Sequence, residues 1–194
     1  MREATRDEAA IVAWSALEPP ALVEALRAGG LVVLLRHGQA IGNDRDPAPW
    51  RIVGDRRAQG NLTSTGKDQA RLIGDGMRAL GIPVVKVVAS PYYRARDFAE
   101  IAFRTKPVIA IDLGPENPGQ TDAYRRYLAT PPTGGNLVVV GHLLAPIAAP
   151  ISQLKELADG HTAVWRPGGK NSESLIALIA PGDWARLAAA TRGG

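Results

Sequence analysis

The stretch Leu31-Val32-Val33-Leu34-Leu35-Arg36-His37-Gly38 reads as a strand that ends abruptly in polar residues. Five consecutive apolar side chains cannot alternate between core and solvent. Such a strand is buried on both faces, as in a parallel sheet covered by helices. Upstream, Glu18 to Arg27 reads as a short helix with Pro19 and Pro20 in its first turn, stopped by Gly29-Gly30. Residues 1–15 read as a loosely ordered lead-in. Downstream, residues 38–62 lack periodicity and read as a long loop, the kind that is usually functional.

The same alternation continues along the chain. Thr65 to Leu80 carries apolar residues at helical spacing and is closed by Gly81. Val84 to Ala89 is a second strand. Ser90-Pro91 reads as a helix start, with Ser as N-cap and Pro as the first helical residue, and the helix runs to about Phe103. Val108 to Ile111 is a third strand, followed by a Gly- and Pro-rich loop and a short helix from Asp122 to Ala129. Leu137 to Val140 is a fourth, continuously apolar strand. Ala145 to Leu157 is partly helical and interrupted by Pro146 and Pro150. Thr162 to Trp165 and Ser174 to Ala180 read as two late strands, and Asp183 to Ala190 as a closing helix. Strands alternating with helices predict an α/β domain, a three-layer α/β/α sandwich with a mostly parallel central sheet. With 194 residues, no repeat and no linker, residues 1–194 are expected to form one domain.

Composition narrows the chemistry. Cysteine is absent, which excludes disulfide scaffolds, thiolate metal sites and Cys nucleophiles. The three histidines are His37, His142 and His161, too few for a His-rich metal cluster. The net charge is +4, and Arg dominates the cations. Residues 36–71 are enriched in Arg, which suits a small anionic ligand because guanidinium grips phosphate bidentately. No basic run interleaved with aromatics points to nucleic acid. The longest apolar stretch, Leu143 to Ile151, is too short to cross a membrane and holds two prolines. Met1 to Ala10 is polar and lacks the pattern of an export signal, so a cytoplasmic location is expected, or a periplasmic one if a signal has been removed.

The residues just past each strand carry the chemistry. The first strand ends in Arg36-His37-Gly38, the second in Ser90-Pro91 with Arg94 shortly after, the fourth in Gly141-His142. In a parallel sheet these points share one edge, where ligands bind. A neutral imidazole is a good nucleophile toward phosphorus near neutral pH. Arg36 and Arg94 can hold the non-bridging oxygens through the transition state, and His142 can add a hydrogen bond or a charge.

These residues resemble a known family. Leu34-Leu35-Arg36-His37-Gly38-Gln39-Ala40, with Asn43 beyond it, is similar to the Arg-His-Gly signature of the histidine phosphatase (phosphoglycerate mutase-like) superfamily. Leu62-Thr63, Gly66 and Gln69-Ala70 match its second block, Ala89-Ser90-Pro91-Tyr92-Tyr93-Arg94-Ala95 its third, and Val138-Val139-Val140-Gly141-His142 its fourth. The blocks occur in the family's order. The resemblance implies a small bacterial-type member with a phosphoglycerate mutase-like fold. It implies His37 as the nucleophile that forms a phosphohistidine, with Arg36, Arg94 and His142 binding the phosphoryl group and Asn43 beside it. It implies no metal and no organic cofactor. The expected partner is a phosphorylated small molecule or a phosphoprotein, not nucleic acid or a membrane.

The leaving alcohol needs a proton donor. One branch of the family places an Asp directly after the second His, and Leu143 excludes it. Three candidates stand side by side: Glu116 in the loop after the third strand, and Asp159 and His161 in Asp159-Gly160-His161, where some relatives carry Gly-Glu. Some small members have Gln-Arg-Asn-Leu before the second block, where this chain has Gln59-Gly60-Asn61-Leu62. Arg56 or Arg57 is then expected to replace the missing Arg. The expected activity is phosphomonoester hydrolysis, with a mutase-type phosphotransferase and a weakly catalytic phosphate-binding module as alternatives.

Overall fold

The computed structural model describes residues 14–41, 54–115, 117–142, 157–168 and 174–191. Among the described residues seven strands form one sheet: β1 (Trp14–Ser15), β2 (Val32–Arg36), β3 (Val84–Ala89), β4 (Val108–Ile109), β5 (Asn136–Gly141), β6 (Thr162–Trp165) and β7 (Leu175–Ile179), in the order β1-β7-β6-β2-β5-β3-β4. Strands β2, β5, β3 and β4 pair in parallel, while β6, β7 and β1 extend the sheet by antiparallel pairing. As β6 and β7 each reverse direction, β7 runs with the parallel strands and only β6 and β1 oppose them.

The helices are α1 (Pro19–Ala28), α2 (Ser64–Ala79), α3 (Tyr93–Phe103), α4 (Gln120–Ala129) and α5 (Asp183–Ala190). The continuous apolar strands explain how they divide. Val33 and Leu35 of β2 face a core built with Leu22, Ile73, Phe98 and Trp184, which come from α1, α2, α3 and α5. Val32 and Leu34 face the other way, toward Ala123, Tyr124 and Leu128 of α4. Both sides of β2 are therefore covered and the layers are α/β/α, as the apolar run predicts.

Helices α2 and α3 pack closely because Gly74 has no side chain. A Cβ there would lie 1.9 Å from the carbonyl oxygen of Ala102. Alanine gains about 1 kcal/mol of helix propensity over glycine. Overpacking costs about 1–3 kcal/mol, at the upper end when the obstacle is backbone. Gly74→Ala should thus lose about 2 kcal/mol net, read as a lower urea midpoint at unchanged m-value.

Three details differ from the sequence-based expectation. Trp14–Ser15, the end of the expected lead-in, forms β1 against Leu178 and Ala177. Two residues at a sheet edge leave no periodic signal. The third strand stops at Ile109, and Ile111–Leu113 turn into a short 3-10 helix. Helix α3 begins at Tyr93, so Ser90 is not its N-cap, and its hydroxyl is engaged elsewhere. Residues 42–53 of the expected 38–62 loop and all but the last residue of the expected 145–157 helix lie outside the described residues.

Candidate active site

Parallel pairing of β2 with β5 sets Arg36 opposite Gly141. The next residue of each strand is a histidine, and the two rings meet edge to face with centroids 5.1 Å apart. Both backbone groups of His37 are fixed: its N–H donates to the Gly141 carbonyl (3.0 Å), and its carbonyl accepts from the N–H of Gly160 (2.9 Å). On the far side of β5, the backbone N–H of His142 donates to the Tyr124 hydroxyl (3.2 Å). Gly141 makes room for that contact, because a Cβ there would lie 1.9 Å from the same hydroxyl oxygen.

The tautomer of His37 is set by its partners. The Nε–H of Arg94 lies 3.1 Å from Nε2, and an arginine only donates, so Nε2 is an acceptor. The ring proton is then on Nδ1 and donates to the Gly38 carbonyl at 2.8 Å. Burial pushes the imidazole down to about 4, while the Gly38 carbonyl works the other way and the Arg94 charge adds to the lowering. His37 is thus neutral at physiological pH with its lone pair on Nε2. His142 is also held well below its ordinary value by burial, with His37, Arg94 and Arg36 acting in the same direction.

Two buried neutral histidines have a cost in acid. The unfolded chain binds a proton at each near pH 6.5, whereas folded His37 stays neutral down to about 4. Between these values the unfolded state holds more protons, so stability is full above pH 6.5 and declines as the pH falls toward 4. His37 alone accounts for a loss of order 3 kcal/mol across that window. Urea midpoints should drop steeply between pH 7 and 4.5, and His37→Asn should flatten the curve.

Arg36 is braced rather than loose. One terminal nitrogen donates to the Leu157 carbonyl (2.7 Å) and the other pairs with Asp159 at 2.8 Å. Its Nε is buried with no hydrogen-bond partner among the described residues. Because β6 runs against β2, the segment before β6 lies at the end of β2, which brings Asp159 there. Gln69 of α2 ties this corner together. Its oxygen accepts from the N–H of Gln39 (2.8 Å) and its amide donates to the Asp159 carbonyl (3.1 Å).

A second brace holds the helix turn that carries Arg94. The Gln59 side-chain oxygen accepts from the N–H of Tyr93 at 2.9 Å, satisfying a donor at the start of α3. Arg56 forms a two-pronged pair with Asp97 and stacks over the Tyr93 ring at 4.0 Å. Arg96 lies over the same ring at 4.7 Å.

Of the residues expected from sequence, His37, Arg36, Arg94 and His142 come together, and Asp159 joins them through its pair with Arg36. His161 sits at the same sheet edge, its Nδ1 3.5 Å from the Asp159 carbonyl and its own carbonyl accepting from the N–H of Arg36 (3.1 Å). Arg57 is exposed, and among the described residues its side chain makes no contact with this group. Arg56 is committed to Asp97. Asn43 and Glu116 lie outside the described residues. The support from Tyr124 carries no sequence signal of its own, and Gln59, though it stands in the Gln59-Gly60-Asn61-Leu62 block, gives no sign of its partner. Their partners lie 18 and 34 residues away and become neighbours only through the fold. No group of three or more metal-ligating side chains occurs among the described residues, and no helix there is long and apolar enough to cross a membrane.

The model of the histidine phosphatase superfamily, branch 1, matches residues 32–115, from β2 into the loop after β4. No curated protein matches the sequence. Several solved structures share the fold. SixA of Agrobacterium tumefaciens, named as a candidate phosphohistidine phosphatase, is 20% identical, covers 79% of this chain and 99% of its own, and has a TM-score of 0.56. SixA of Nakamurella multipartitia, named in the same way, is 22% identical over 77% of this chain and 92% of its own, with a TM-score of 0.52. The protein histidine phosphatase SixA complexed with tungstate is 17% identical over 78% of this chain and 97% of its own, with a TM-score of 0.53.

Proposed function

We propose that the chain is a member of the histidine phosphatase superfamily, whose model matches residues 32–115, and from that premise that it hydrolyses phosphomonoesters through a phosphohistidine on His37. The observation that carries this is a neutral imidazole whose Nε2 lone pair is free of protons, set against Arg94 and His142 at the end of a buried strand. In the first step Nε2 bonds to phosphorus as the bond from phosphorus to the leaving oxygen breaks. Arg94 shifts its donor from Nε2 to a phosphoryl oxygen, and Arg36 and His142 bind the other oxygens. In the second step water attacks phosphorus and gives up a proton to the group that protonated the leaving oxygen, the bond to Nε2 breaks, and His37 returns to its neutral state with phosphate released.

The leaving oxygen takes its proton from one of Glu116, Asp159 and His161. Asp159 is engaged by Arg36. That engagement favours leaving groups that depart with little acid assistance, such as an aryl oxygen or the imidazole of a phosphorylated histidine. The substrate is accordingly a phosphorylated metabolite or a phosphoprotein.

The test is turnover of p-nitrophenyl phosphate, with trapping of the enzyme during turnover. An acid-labile, base-stable phosphoryl group that disappears in His37→Ala supports the proposal. Equal hydrolysis by wild type and His37→Ala overturns it. Interconversion of 2- and 3-phosphoglycerate without net hydrolysis would assign the mutase chemistry instead. Phosphate binding without turnover would leave a binding module.

A further inference from the structure

We infer that Ser90 is a positioning residue that sets the tautomer of His142, so that this ring offers an N–H from Nδ1 to the phosphoryl group. The inference rests on the phosphatase reading for its purpose, but not for its geometry. Ser90 is fully buried at the end of β3, and its backbone N–H donates to the Val140 carbonyl (2.9 Å). Its Oγ lies 2.7 Å from Nε2 of His142 and also accepts the N–H of Tyr92 at 3.4 Å.

A hydroxyl carries one proton and two lone pairs. With one lone pair on Tyr92, Ser90 could still accept from Nε2 or donate to it; no other acceptor for its buried proton lies among the described residues, so donation to Nε2 of His142 is the arrangement that leaves no hydroxyl proton unpaired. A ring that accepts at Nε2 carries its proton on Nδ1. The opposite tautomer would turn a lone pair toward the phosphoryl oxygens, where like charge repels. Protonating the ring is no way out, since burial and the adjacent Arg36 and Arg94 oppose it. The tautomer therefore decides whether a neutral His142 is a donor at all.

The two histidines then form a complementary pair. At His37 a carbonyl acceptor takes the Nδ1 proton and frees the Nε2 lone pair for attack. At His142 a hydroxyl donor occupies Nε2 and leaves the Nδ1 proton to be donated. The same tautomer serves as nucleophile in one ring and as donor in the other, according to which end is engaged.

Nitrogen-15 labelling of the histidines tests this directly, because the chain has three. Long-range correlations assign the protonated nitrogen of each ring, with His142→Gln and His161→Gln identifying the signals. Wild type should show His142 protonated at Nδ1 and unprotonated at Nε2. Ser90→Ala should move those signals toward the other tautomer and lower kcat on p-nitrophenyl phosphate at least about tenfold, with KM changed less. Ser90→Thr, which keeps the hydroxyl, should restore both. Wild-type His142 protonated at Nε2 would overturn the inference, even if no variant folds. So would a Ser90→Ala protein that loses activity with its tautomer unchanged, since the residue would then be merely structural. A tautomer shift in a protein without phosphatase activity supports the role of Ser90 and defeats only the proposed reaction.

Discussion

Replacing His37 by alanine should reduce kcat/KM on p-nitrophenyl phosphate by on the order of 10⁴–10⁶-fold, the scale seen when a covalent nucleophile is removed. The size reflects the group that is lost. The Nε2 lone pair faces the Arg94 guanidinium and the His142 ring packs against the same imidazole, and water does not inherit that position. The fold should survive, because the bonds that tie position 37 into the sheet edge, to Gly141 and Gly160, are made by its backbone and not by the imidazole. Circular dichroism and urea midpoints at pH 7.5 should stay close to wild type, which separates loss of chemistry from loss of structure. A variant retaining a tenth of the rate would place the nucleophile elsewhere.

Arg94→Ala should cost about 3–4 kcal/mol in kcat/KM, or roughly 10²–10³-fold, the usual consequence of removing one fixed donor to a developing oxyanion. The effect should divide between kcat and KM, as the guanidinium contacts the phosphoryl group in both ground and transition states. Arg94→Lys should recover little. In the resting protein the contact to His37 is made by Nε, a donor set partway along the side chain, and an ammonium at the tip cannot reproduce it. Steady-state kinetics with two leaving groups checks the prediction: the loss should be similar for both, because Arg94 acts on the phosphoryl group rather than on the departing oxygen. A kcat/KM within a few-fold of wild type would exclude Arg94 from the site.

Much of the architecture is legible in the sequence because its signals are local. Continuous apolar runs mark β2 and β5 as strands buried on both faces, and helical spacing marks α2 and α3 to within a few residues. The cluster of His37, Arg36, Arg94 and His142 is legible from one topological rule, that parallel strands deliver their ends to one edge. The hidden features depend on partners distant in sequence. Ser90 before Pro91 carries the composition of a helix cap, but its hydroxyl is drawn to His142, and α3 starts at Tyr93. Asp159 reads as a candidate acid with no sign in the sequence of its pair with Arg36, and Arg56 as a candidate phosphate ligand with no sign of its pair with Asp97. Residue type and spacing record which groups are available. They do not record which of them are already engaged.

The in-register pairing of β2 with β5 has a kinetic side. Arg36 and Gly141 are opposite each other yet far apart in the chain. Contacts of such separation close large loops and form late, because the entropy of closure must be met before the contact rewards it. Apart from the Gly38 carbonyl, the groups around His37 come from distant parts of the chain. A nascent or partly folded chain would therefore carry an isolated, inert histidine, and hydrolytic competence would emerge only when the central parallel ladder has zipped. Recovery of turnover during refolding should thus report on one of the most distant pairings in the molecule, while helix formation reports on the nearest.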